Sequence, residues 1–126
     1  ISKFDIVHSD SVRRFIEEIM HTDRLDLRRV AYEILANMIR QNSFNDLPWL
    51  FDLITPILSD ASIKIYRELN LIFDALIQKS EIETTAYLAD LYAQTESEKA
   101  KKFIRKIIPR FSGDNQAYLA KITQNP

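Results

Sequence analysis

A single glycine, Gly113, in a chain of 126 residues sets the first limit on the fold. Tight hairpin turns of the favoured types need residues at positive φ, which glycine adopts without steric cost, so a sheet with many reversals lacks its material here. The same scarcity excludes the Gly-rich phosphate loop, the dinucleotide fingerprint and the Gly-x-Ser-x-Gly nucleophile turn. Helix remains. With 46% apolar and 28% charged residues the chain has the balance of one that folds, and its length suits one core spanning residues 1–126.

Apolar spacing places the helices. Val12, Phe15, Ile16, Ile19 and Met20 share one stripe over Ser11 to Met20, with Ser9 or Asp10 as cap. Leu27, Val30, Ala31, Ile34, Leu35, Met38 and Ile39 repeat the pattern from Asp26 to Gln41. A third helix opens at Asn45 or Asp46 and runs to Leu58, where Pro56 should bend the last turn. It is apolar on two sides, with Trp49, Leu53 and Ile57 on one stripe and Leu50, Ile54 and Leu58 on another. The fourth, capped by Asp60 or Ser62, reaches Gln78 with Ile65, Leu69, Ile72, Phe73 and Leu76 inward. Ile82, Ala86, Ala89 and Ala93 give a fifth helix a small-residue stripe. The sixth follows Glu96-Ser97-Glu98 and turns Ala100, Phe103, Ile104, Ile107, Ile108 and Phe111 inward before Pro109 and Gly113 end it. A last short helix covers Asn115 to Ile122.

Helix starts near Asp10, Asp46 and Ile82 recur every 36 residues, each a short helix followed by a longer one. One hairpin cannot bury its own apolar face and must stack on another, so a period of this length points to stacked helical hairpins. The expected fold is all-α, a right-handed stack of about three helical hairpins with six to seven helices and no strands. The outer hairpins should keep polar outer faces.

Within this pattern, Asp23-Arg24-Leu25-Asp26-Leu27-Arg28-Arg29-Val30-Ala31-Tyr32-Glu33-Ile34-Leu35 resembles the second helix of a HEAT repeat. Leu27-Arg28, Ala31 and Leu35 match its aliphatic-arginine pair and its Ala and Leu positions. The resemblance implies a HEAT-like or armadillo-like architecture in which Arg28 sits inside the stack and bonds Asp23 or Asp26. The second hairpin keeps Asp60 and Ile63-Lys64 but has Tyr66 or Arg67 where a small residue belongs, and the third shows none of the signature.

Chemistry-bearing groups are sparse. There is no cysteine, and His8 and His21 lie 13 residues apart, without the one-turn spacing that aims two imidazoles at one metal. Glu17 and Glu18 point about 100° apart on a helix, and carboxylates from different helices, such as Asp52 and Asp74, could form a pair if the fold joined them. No cofactor, metal or catalytic group is expected, and the chain reads as a non-enzymatic module.

Charge is distributed unevenly. Residues 1–95 carry a net -5 and residues 96–126 a net +4, within a formal total of -1. On the sixth helix Lys99, Lys102, Lys106 and Arg110 follow one ridge, with Lys101 and Arg105 beside it, opposite the apolar stripe. Their fields add over a Debye length of about 8 Å, enough to hold an acidic peptide or the phosphates of a nucleic acid. The expected function is a scaffold or protein-binding module. Its contacts are Lys99, Lys102, Arg105, Lys106 and Arg110, then Arg24 and Arg29, with Trp49 as an apolar anchor for another helical segment if its stripe stays open. Nucleic-acid binding through the same ridge is the alternative, which the acidic remainder opposes and the lack of interleaved aromatics makes a matter of phosphates alone. The first residue is Ile1, and no leader, bilayer-length apolar run or Asn-x-Ser/Thr acceptor is visible. An intracellular segment of a longer chain, cytoplasmic or nuclear, is the corresponding expectation.

Overall fold

The structure, a computed structural model, describes residues 10–20, 22, 24–59 and 66–124. They form an all-α fold without strands: α1 (Asp10–Met20), α2 (Leu25–Ile39), α3 (Leu47–Ser59), α4 (Tyr66–Lys79), α5 (Glu81–Gln94), α6 (Glu98–Ile107), a 3-10 turn (Ile108–Arg110) and α7 (Gly113–Gln124). His8, His21, Asp23, Asp60, Ser62, Ile63, Lys64 and Ile65 lie outside the described residues. No helix among those described is long and apolar enough to cross a membrane.

The caps follow the sequence. Asp46 accepts the backbone N–H of Trp49 at 3.3 Å, Ser80 that of Glu83 at 3.3 Å and Ser97 that of Ala100 at 3.2 Å, each satisfying a first-turn donor that has no partner in its helix. Gly113 has φ +46°, the left-handed conformation that disfavours a Cβ, and lets the chain turn into α7. Pro56 does not end α3 early, and the helix continues to Ser59. Pro56 and Asp52 both face solvent, so water can reach the Asp52 carbonyl that the proline leaves without its helical donor.

α2 and α4 make the most extensive helix pairing and run parallel. Arg29 meets Glu68 near their starts, and Lys79 Nζ donates to the carbonyls of Gln41 and Phe44 beyond the end of α2. Rings carry the packing from α4 to α6, with Phe73 and Tyr66 5.3 and 5.9 Å from Phe103. On the other side Arg13 of α1 bonds Asp46 at the start of α3, Phe51 of α3 stacks on Tyr87 of α5 at 4.2 Å, and α7 packs on α5. Side-chain bonds joining helices two places apart, or their flanking turns, link residues 31 to 40 positions apart.

Three expected stripes are rotated. In α2 the buried set is Ala31, Tyr32, Leu35, Ala36, Met38 and Ile39, while Val30 is 48% exposed and Ile34 reaches 36%. In α5 it is Thr84, Thr85, Leu88 and Ala89, leaving Ile82, Ala86 and Ala93 outside. Threonine is tolerated inside because its hydroxyl finds a carbonyl: Thr84 Oγ1 donates to Leu76 and Ser80, and Thr85 Oγ1 to Glu81. In α1, Phe15 is 49% exposed beside buried Ile16. Phe15, Val30 and Ile34 thus leave apolar surface exposed on α1 and α2.

Candidate interaction surface

α6 buries Ala100, Phe103, Ile104 and Ile107 and turns its cations the other way. Lys99, Lys102, Arg105, Lys106 and Arg110 are exposed and Lys101 is half-buried, so the ridge expected from the sequence stands on the surface. Cations near the C-terminal end also oppose the negative end of the helix dipole, which favours Arg105 and Lys106 in the last turn for folding alone.

Neighbouring helices divide the ridge. Arg110, in the 3-10 turn, donates through Nη1 to Asp74 Oδ1 at 2.6 Å and to the Asn70 carbonyl at 3.2 Å, which cancels its charge and ties it to α4. It therefore leaves the set of available cations. Lys106 Nζ lies 5.0 Å from the centre of the Tyr66 ring. On the opposite flank Lys101 Nζ lies 5.6 Å from the Tyr92 ring, and Arg105 Nη1 donates to Tyr92 Oη at 2.8 Å. Tyr92 Oη in turn donates to the Thr123 carbonyl at 3.3 Å, so one phenol joins α5, α6 and α7. Both aromatics come from other helices, which is why they are invisible as neighbours of the ridge in the sequence. Among the described residues, Lys99, Lys101, Lys102, Arg105 and Lys106 have no carboxylate within ion-pair distance, whereas Arg13, Arg24, Arg29 and Arg110 each have one.

The other candidate contacts lie apart from this surface. Arg24 pairs with Asp26 at 3.0 Å, and that hydrogen bond holds the Asp26 carboxyl below the usual carboxylate range. Asp26 is thus committed to Arg24, and Arg28 donates to Tyr32 Oη at 3.3 Å, while Asp23, the other partner expected of Arg28, lies outside the described residues. Arg29 is held by Glu68, a carboxylate 5% exposed, and belongs to the α2–α4 contact. Trp49 is pinned in the seam between α1 and α3: its Nε1 donates to Glu17 at 2.9 Å, the Arg13 guanidinium lies 4.8 Å from its ring centre, and Phe44 meets its edge at 6.4 Å. Leu53 and Ile57 on the same stripe are buried, so α3 presents no open apolar face there.

Asp74 is engaged by Arg110 and Asp52 is exposed on α3, facing Tyr87. Among the described residues no group of three or more histidine or carboxylate side chains is placed to hold a metal ion. No protein-family model, curated protein or solved structure matches the chain.

Proposed function

We propose that this chain is a non-enzymatic interaction module of the HEAT-like or armadillo-like helical-repeat kind, which binds an acidic protein segment through α6. The observation that carries the reading is the row of five cations on α6, Lys99, Lys101, Lys102, Arg105 and Lys106, that have no carboxylate partner among the described residues. A folded surface that leaves like charges together stores repulsion, and an incoming anionic chain relieves it. Support for the repeat architecture comes from the bonds that recur at 31 to 40 residues and tie alternate helices to one another. In such a stack α2, α4 and α6 form an elongated face suited to an extended or helical ligand.

Fluorescence anisotropy with a labelled poly-glutamate peptide of about 20 residues tests the reading. Binding should weaken by at least about tenfold when Lys102 and Lys106 are both changed to Glu, and it should weaken with salt. An unchanged affinity in that variant overturns it. A labelled duplex of about 20 base pairs serves as the competing ligand: tighter binding to it than to poly-glutamate, with a steep salt slope, makes phosphate contact the function.

A further inference from the structure

A groove opens where α5, α6 and α7 meet. α7 packs on α5, its far end fastened by Tyr92 to the Thr123 carbonyl, and the 3-10 turn separates it from α6. Between them lies a groove of about 450 Å³. Ala89 and Ala93, one turn apart on α5, and Tyr118 and Ile122, one turn apart on α7, line it together with Tyr92. Lys101 of α6 and Asp90 of α5 are its charged lining residues. Tyr118 is 50% exposed and Ala93 is exposed.

We infer that this groove docks a single amphipathic helix of a partner protein, with carboxylates along one edge. Two rows of side chains at i, i+4 spacing with a trough between them are what a third helix needs to seat its own i, i+4 ridge. Small Ala89 and Ala93 allow close approach, and the two tyrosines supply apolar area with a polar tip. Charge sets the orientation. Lys101 lines the groove and Arg105 bonds the Tyr92 hydroxyl beside it, and neither has a carboxylate partner among the described residues, so acidic side chains belong on that edge. The edge facing Asp90 must be neutral or basic. This inference rests on the proposed role of α6 in binding an acidic partner and adds the class of ligand and its seat.

The probe is a labelled helical peptide of about 18 residues, with leucines on one stripe and glutamates on one edge. Binding should fall at least about tenfold in Ala93→Arg, which fills the groove from an exposed position, and in Tyr118→Asp. Lys101→Glu should weaken it several-fold, and a peptide with lysines in place of the glutamates should not bind. Circular dichroism of each variant confirms that the fold is retained. Unchanged affinity in both Ala93→Arg and Tyr118→Asp overturns the inference. So does equal binding of the lysine peptide, or a chain that dimerises through this face, seen as loss of dimer in Ala93→Arg by sedimentation. A third peptide, with serines replacing the leucines, separates this inference from the reading beneath it. If it binds as tightly and needs only Lys102 and Lys106, the ridge stands and the groove falls. If only the leucine peptide binds, and does so regardless of Lys102 and Lys106, the groove stands and the ridge falls.

Discussion

Arg29 Nε lies 3.1 Å from Glu68 Oε1, and the pair is lopsided: the Glu68 side chain is 7% exposed and that of Arg29 52%. The carboxylate has left water for the α2–α4 contact and depends on a cation that has not. Arg29→Ala should therefore destabilise the fold by about 2 kcal/mol in urea unfolding, because it strands a buried charge. Changing both residues to apolar ones of similar size should cost less than Arg29→Ala alone, and a double variant worse than the single would refute this account.

Tyr87 carries a prediction at the alkaline end. Thr55 Oγ1 donates to the Phe51 carbonyl at 2.7 Å, so Tyr87 Oη donates to Thr55 Oγ1 at 2.6 Å. Burial pushes the phenol up to about 12. The unfolded chain releases this proton near pH 10, whereas the folded chain holds it. The contribution to stability is thus complete below about pH 10 and is lost as the pH rises toward about 12. Absorbance titration of the tyrosines should show a late phase that disappears in Tyr87→Phe, a variant that also loses about 1 kcal/mol at neutral pH.

Glu81 governs the docking of α7. Its Oε2 accepts from Asn115 Nδ2 at 2.6 Å and from Ser112 Oγ at 2.9 Å, bonds that hold its carboxyl below the usual carboxylate range. For a depressed carboxyl the stabilisation is present above its ordinary value near pH 4 and is lost as the pH falls through the lower folded value. Hydrogen exchange across α7 should therefore speed up in Glu81→Ala at neutral pH and in the unaltered chain only in acid. Equal protection of α7 in the two proteins at neutral pH would contradict this role.

Phe103 and Lys102 are sequence neighbours with opposite roles. Phe103 is 1% exposed and touches the rings of Tyr66 and Phe73, so Phe103→Ala should cost about 3 to 5 kcal/mol and detach α6 from α4. Lys102→Ala, on the exposed side, should stay within about 0.5 kcal/mol of the unaltered chain. A large loss in Lys102→Ala by urea unfolding would mean that the ridge is structural.

The all-helical class was legible because glycine scarcity and the apolar period are local properties, and the caps at Asp46, Ser80 and Ser97 lie where short polar side chains precede an apolar stripe. The rotated stripes of α2 and α5 were not. A helix can turn by tens of degrees to suit its neighbours without changing its period, and Thr84, polar by composition, is buried because carbonyls of Leu76 and Ser80 wait there. The α6 ridge was legible as a row of like charges. Its division was not, since Asp74 and Arg110 stand 36 residues apart and only folding brings them to 2.6 Å.

The sequence by itself determined the all-helical class and the concentration of cations on α6, since each depends on spacing along one chain. Tertiary structure alone decided which of those cations keep their charge unopposed, why Trp49 is pinned in a seam, and where a groove opens beside Lys101. Those outcomes depend on which helix lies next to which, and burial and ion pairing are properties of neighbours in space.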